Sequence, residues 1–397
     1  ITPELVAAKA DKVIDDIAEK ATKSVPKSIK AKTQKAYPAQ LVSVKDTIED
    51  VNNLFYRNAW SDGLPIIPPT PERVEKMLSG TSLKPDQIIG LIPPRMGAAT
   101  VQIIAINAVM AGAKPEHLPV IIAAVRASLQ PEVMLRRWLT TTRPNIVSMF
   151  VQGPIVKELG IHYGQSALLP GPKPNAVIGR AFLLTLRLLG GVIAPPDRVG
   201  TMTTLGLPNY SFCFGENEDG LPKGWNSLRV DSGYKKKDSV VSVFGTTLPV
   251  MQNDHDSTNG RDILMSTCYR IGGQLVRVGG HIEYPGMVIL FGPEHASSIA
   301  GDGFSKEDAK QCIFENAKIP REWLVKGGVW YIDIEQEPEW IRKEVDDLVP
   351  MIHAFNSPEQ VTITVAGGTG KQSLLGIGMA NTPLGVIQGA TLTQAGL

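Results

Sequence analysis

Two apolar runs, Ile103–Met110 and Leu118–Val125, are separated by Ala111-Gly112-Ala113-Lys114-Pro115-Glu116-His117. Neither run shows a polar face, so both need burial on nearly all sides, and helices of that kind demand a large interior. Neither reaches the ~18 consecutive apolar residues that would span a bilayer, because the polar gap interrupts them. At 397 residues, 43% hydrophobic and 20% charged, the chain is long and apolar enough to supply such a core. Gly112 between two alanines lets the backbone approach a neighbour closely. Pro115 suits a helix start, with Glu116 in its first turn near the positive dipole end. Glu116 and His117 then read either as caps or as the polar edge of a substrate-facing turn floored by small residues.

Strand-like and helix-like segments alternate through the second half, which predicts an α/β fold of two lobes, with layered mixed sheets and helices. Three spans are expected: an N-terminal helical arm over 1–40, a first α/β lobe over 41–235, and a second over 236–397. The arm is lysine-rich, with Leu5, Val6, Ala10, Val13, Ile14 and Ile17 at helical spacing. A boundary near 235 is suggested by "YKKKD", a solvated charge run. Helices are expected over 44–58, from Pro71, over 175–189, over 257–271 and over 305–318, the last with Ser305 as cap and Asp308 three residues on. Strands are expected over 88–94, 239–245, 286–293 and 361–368, and "QSLLGIGM" is expected to open a turn of helix.

The formal net charge of +1 gives no field that would favour nucleic acid or a membrane surface. Cys213, Cys268 and Cys312 are widely spaced and odd in number, which argues against a disulfide framework. These features predict a soluble, cytoplasmic protein with buried free thiols.

Three loops of the second half share one pattern, a strand, a tight polar turn, then a helix. "LPVMQNDHDSTNG" carries Asp254 and His255, "LFGPEHASSIA" carries Glu294 and His295, and "VAGGTGKQS" carries Gly368, Gly370, Lys371 and Ser373. Ligands collect at the carboxyl ends of strands in open α/β sheets, where helix N-termini aim N–H groups at anions. On this reading His255 is the general acid or base, oriented by Asp254, and His295 with Glu294 assists. Lys371 and the Gly367–Gly370 turn hold an anionic group, with Ser373 beside them. The glycine turn lacks the spacing of a nucleotide phosphate loop. The cofactor is left unknown; a divalent metal held by His255 and His295 is the alternative, leading to a metal-dependent hydrolase.

In the first half Asn107, Glu116, His117, Asn145, Asn175 and Arg180 stand among apolar residues as candidate substrate contacts. "TTTRPN" and "PNAVIGR" set an amide near a guanidinium, able either to bind a carboxylate or to brace two loops. "CFGENEDG" adds Glu216, Asn217 and Glu218 after Cys213.

Eight motifs then occur in order: "WSDGLPIIPPT", "IAINAVMAGAKPEHLPVIIAAV", "VQGPI", "PNAVIGRAFLLTLRLLGG", "SFCFGENE", "NDHDST", "GPEHASSIAGDGFSKEDAK" and "VAGGTGKQS". Together, over about Asn58 to Ser373, the chain resembles the large module found fused to, or beside, the UGSC (seleno)protein domain. That resemblance implies thiol or selenol chemistry on a small molecule, by a nucleophile like that of the anaerobic glycine- and proline-reductase systems. This chain contains no UGSC segment, so either a thiol- or selenol-bearing partner protein carries it, in a homo- or hetero-oligomer, or this member works without it. Two positions depart from the family pattern. Ala113 stands where a cysteine usually follows "NAVMAG", and Gln152 where "NGPI" is commoner.

The expectation is therefore an enzyme subunit that cleaves a carbon–heteroatom bond in a small polar or anionic substrate, by lyase or reductive substitution chemistry. A non-catalytic structural subunit is the other alternative, which Ala113 suits. All of it requires the turns bearing His255, His295 and Lys371 to share one hollow with the Glu116–His117 corner.

Overall fold

Eleven α-helices and twelve strands are seen among the residues that the computed structural model describes, which are 37–44, 47–141, 145–169, 171–192, 210–246, 250–274, 287–320, 351–355, 357–377 and 384–386. The expected N-terminal helical arm lies outside them, apart from 37–40. All of these helices and strands belong to one compact unit, Gln40–Leu397.

Local signals start and stop the first elements. Helix α1 (Ile48–Arg57) begins where the Thr47 hydroxyl accepts from the Asp50 N–H, and α2 (Pro71–Leu78) where Pro71 takes the first helical position. A ribbon of β1 (Ile88–Ile92) and β2 (Gly97–Thr100) leads into α3 (Val101–Ala111), whose N-cap Thr100 accepts from Ile103 N–H. Gly112 ends α3 with φ of +82°, a left-handed conformation that a side chain would strain. After one 3₁₀ turn, Pro115–His117, comes α4 (Leu118–Ser128). Helix α5 (Leu135–Thr140) precedes strand β3 (Ile146–Gln152), buried along its whole length, and α6 (Ile155–Glu158) follows it.

Helix α7 (Lys173–Gly190) packs on α3 and α4 and completes the first core. Ile104, Ala108, Ile121, Ala124, Ile178 and Leu186 are fully or almost fully enclosed there. Each fully buried aliphatic side chain contributes about 1.5–3 kcal/mol, so this cluster anchors the fold. Among the described residues no single helix is long and apolar enough to cross a membrane; a bent pair, Pro115–Ser128 with Pro131–Thr140, has the composition, and its apolar residues form part of this core.

The chain continues through β4 (Cys213–Gly215), α8 (Leu228–Asp231), β5 (Val240–Thr246), β6 (Val250–Asn253), α9 (Gly260–Gln274) and β7 (Met287–Phe291). Then come α10 (Pro293–Gly301), α11 (Lys306–Asn316), β8 (Lys318–Pro320), β9 (Met351–His353), β10 (Val361–Val365), β11 (Gln372–Ile377) and β12 (Leu384–Val386). Ser305 and Asp308 form the expected reciprocal cap of α11.

Two four-stranded mixed sheets organise these elements, and the fold is α/β. One has the order β12-β5-β3-β4, the other β10-β7-β11-β6. In the first, β3 pairs in parallel with β4 and antiparallel with β5; in the second, β7 pairs in parallel with β10 and antiparallel with β11. Strands from both sides of residue 235 share the first sheet, so the later part of the chain completes the earlier lobe. Lys235, Lys236 and Lys237 are exposed as expected, while Arg229, shortly before them, is buried.

The second sheet has its own core with α9, α10 and α11, including Leu264, Ile289, Ile299 and Ile313. A third apolar cluster joins the sheets: Phe150, Phe214 and Phe244 from the first meet Val288, Leu290 and Ala366 from the second. The faces of the two sheets thus meet through packed rings and aliphatics where the two-lobed reading expects an open cleft. The segment from Gln372 is also a strand, not a helical turn, because it pairs with β7 on one side and β6 on the other.

Candidate functional site

The three predicted loops converge, and hydrogen bonds join them. His295 lies in the first turn of α10, fully buried, with Nδ1 2.7 Å from Ser373 Oγ on β11 and Nε2 3.1 Å from the Asp254 carbonyl after β6. A carbonyl only accepts, so the ring proton belongs on Nε2, and Nδ1 takes the Ser373 hydroxyl proton as a hydrogen bond. Burial pulls the imidazole below its usual pKa, against the opposing pull of Asp254 and Glu294, so the ring is neutral at pH 7.

Glu294, one residue earlier, reaches the glycine turn. Its Oε2 accepts from the Gly370 N–H at 2.7 Å and from the Lys371 N–H at 2.6 Å. Two successive amides point at one oxygen because Gly370 has φ of +139° and Lys371 φ of +47°, the second unusual for a residue with a side chain. These two donors, Gly370 first, hold the Glu294 carboxyl below the ordinary carboxylate range. The anion cradle expected of the turn therefore exists, and the chain's own carboxylate fills it. The Lys371 ammonium donates to the His255 and Ser257 carbonyls, tying the turn to the loop after β6.

Asp254 does not orient His255. Its carboxylate accepts from Ser257 N–H at 3.0 Å and Ser257 O–H at 2.9 Å, a local turn. Burial tends to raise its pKa, but these bonds outweigh it and leave the group below its usual value. His255 is exposed to solvent. The two histidines expected to act together are thus separated in environment, one dry and doubly bonded, the other at the surface. Among the described residues no three His, Cys, Asp or Glu side chains group as metal ligands, and both ring nitrogens of His295 are already engaged.

The first-half candidates mostly brace the fold. Arg180 binds Asp62 with two parallel hydrogen bonds, 2.9 and 2.8 Å, and caps the Pro65 carbonyl. Asn175 uses both ends of its amide on the His162 backbone, at 2.8 and 2.9 Å. Asn107 donates back to Ile103 within α3. His117 is buried and its Nδ1 accepts from the Lys114 N–H, while Glu116 pairs with Lys114 at 3.4 Å, so this corner is a helix cap. Burial lowers the His117 pKa despite Glu116. Asn145 lies just before β3 and has a bonding partner.

The first-half neighbours of the glycine turn are other residues. Gly367 N–H donates to the Tyr163 carbonyl at 2.9 Å, and its own carbonyl accepts from Asn217 Nδ2 at 2.8 Å. A side chain at Gly368 would strike Gln165, with a β-carbon only 2.3 Å from its Oε1. Glu216, beside Asn217, is 2% exposed; burial pushes its carboxyl up to about 7. The signal for it is present in "CFGENEDG", an acid directly after a fully apolar strand, though only the folded register shows it facing inward.

Comparison with protein-family models and with curated proteins finds no match for this chain.

Proposed function

We propose that this chain is the substrate-holding subunit of a small-molecule enzyme system, in which a partner protein supplies a thiol or selenol nucleophile. The observation that carries the reading is the Glu294 carboxylate seated on the Gly370 and Lys371 amides. Two converging N–H donors at the surface suit a small carboxylate or phosphate, and Glu294 holds the place that such a substrate group would take. The cysteines support assigning the nucleophile elsewhere. Cys213, Cys268 and Cys312 are buried, and burial pushes the thiols of Cys213 and Cys268 up to about 12. Neither is a thiolate at neutral pH. In the proposed step the partner's thiolate or selenolate attacks a substrate carbon. A bond from carbon to sulfur or selenium forms as the carbon–heteroatom bond breaks, and the leaving group departs with the electron pair and takes a proton from water.

Calorimetric titration of the chain with acetate, succinate and inorganic phosphate tests the anion site. Glu294→Ala removes the tethered internal competitor, so binding of the same anions should tighten. Absence of binding by both proteins would overturn the reading. It would favour a structural subunit instead, which is supported by the way Asp254, Glu294, His295, Lys371 and Ser373 satisfy one another.

A further inference from the structure

We infer that α1 and the return segment Trp60–Ile67 form a two-fold interface, on which a second copy of this chain docks with the two α1 helices antiparallel. The inference does not rest on the anion-cradle reading.

Exposed apolar side chains crowd into one stretch of the chain. Of the eighteen large ones exposed among the described residues, eight fall between Leu41 and Ile67. Leu41, Ile48 and Tyr56 are 83%, 67% and 66% exposed, and Trp60, Leu64 and Ile67 are exposed as well. None of the ten residues of α1 is buried. A helix that short is marginal in water without a packed face. Only half of the apolar side of α1 is packed: Val51 and Phe55 lean on the first core, while Ile48 and Tyr56 face solvent.

The return segment is fixed alongside the helix. Trp60 sits just past the end of α1, edge-on to Phe55 with ring centroids 5.6 Å apart. The chain then turns back, and the Asn52 side chain, midway between Ile48 and Tyr56, accepts from the Ile66 N–H at 2.7 Å. The Ile67 N–H donates to the Met110 carbonyl on α3, and Arg180 donates to the Leu64 and Pro65 carbonyls. Helix and return are thus one braced surface, and a partner that docks there has little left to order.

The area exceeds what a monomer usually leaves in water. A whole aromatic side chain offers about 150–250 Å², so the eight residues together expose on the order of 700 Å² of apolar surface. The largest apolar patch of a typical monomer is about 300–600 Å², and each partner in a stable complex covers about 800 Å².

Charge selects a second copy as the occupant. Glu49 in the first turn of α1 and Arg57 in the last are eight residues apart, at the two ends of one ridge beside the Ile48–Tyr56 ridge. That ridge is acidic where the helix starts and basic where it ends. An antiparallel copy sets Glu49 against Arg57 twice and Ile48 against Tyr56 twice, the reciprocal pairing that a two-fold axis requires. A parallel copy would oppose like charges at both ends.

Sedimentation velocity of the whole chain at micromolar concentration tests this, with circular dichroism to check that each variant keeps the fold. Wild type should sediment as a dimer. Ile48→Asp combined with Tyr56→Asp should raise the dissociation constant about a hundredfold or more. Glu49→Arg should weaken the dimer by opposing like charges, and adding Arg57→Glu should restore it. The charge exchange carries the test alone if the aspartate variant does not fold. A monomeric wild type would overturn the inference, as would a dimer that survives both aspartates. Wild type recovered only in complex with a different protein would overturn it too, and a dimer indifferent to Glu49→Arg would overturn the antiparallel arrangement. None of these variants alters Glu294 or the glycine turn, so the calorimetric titration decides the cradle separately.

Discussion

The Nδ1 of His295 and the hydroxyl of Ser373 lie 2.7 Å apart with both side chains buried, although 78 residues separate them along the chain. The other ring nitrogen closes on the Asp254 carbonyl, so one imidazole joins the ends of β6, β7 and β11. A serine–histidine contact of this length resembles an activated nucleophile, but this one is enclosed and fully bonded. Its immediate effect is to fix the loops that present the glycine turn.

Replacing Ser373 with alanine leaves a buried ring nitrogen without its donor. The cost should be about 1–3 kcal/mol, the penalty of one unsatisfied buried acceptor. Urea unfolding of Ser373→Ala against wild type measures it, and an unchanged midpoint would count against the clasp.

His295 also predicts a pH effect. Burial holds its folded pKa below the reference 6.5, so below pH 6.5 the unfolded chain binds the proton and the native chain does not. The stability contributed by this site is present above 6.5 and is lost as pH falls beneath it. The difference in unfolding midpoint between wild type and His295→Gln should therefore shrink from pH 7 toward pH 5. A constant difference would mean that the imidazole becomes charged at the same pH in the folded and the unfolded chain.

The Arg180–Asp62 pair, with side chains only 14% and 6% exposed, should be costly to split. Asp62→Ala strands a shielded guanidinium and should lose about 3–5 kcal/mol, while Arg180→Lys, which keeps charge but not the fork, should lose less. Thermal unfolding of the two variants ranks them. Equal losses would show that keeping the charge without the fork preserves nothing there.

The buried thiols give a chemical prediction. In native protein at pH 8, iodoacetamide should leave Cys213, Cys268 and Cys312 unmodified, and in denaturant all three should react. Mass spectrometry of the two samples decides it. Rapid native labelling of any of them would return the nucleophile to this chain.

Gly245→Ala probes the first core from a different side. A β-carbon there would lie 2.1–2.3 Å from the Trp138 indole, so the ring must move, at about 1–3 kcal/mol. Chemical denaturation that shows no loss would mean that Trp138 has room the packing does not suggest.

Local patterns revealed the elements with strong periodicity or caps, including α3, α4, α7 and the Ser305-capped α11. They misassigned Gln372–Ile377, because "QSLLGI" suits a short helix as well as a strand. The choice was made by β7 and β6, which offer hydrogen bonds on both edges. The meeting of the three polar loops was readable from their placement after strands. The roles within it were not: Glu294 fills the cradle assigned to a substrate, and Asp254 bonds Ser257 in place of His255.

By itself the sequence determined that two all-apolar helices must be enclosed and that polar turns follow the strands, because both depend on side-chain types at short spacing. Only the tertiary structure decided which polar atoms meet. His295 finds Asp254 and Ser373 41 and 78 residues away and Glu216 finds Thr364 148 residues away, and the pairing of strands in the two sheets is what brings them within hydrogen-bonding distance.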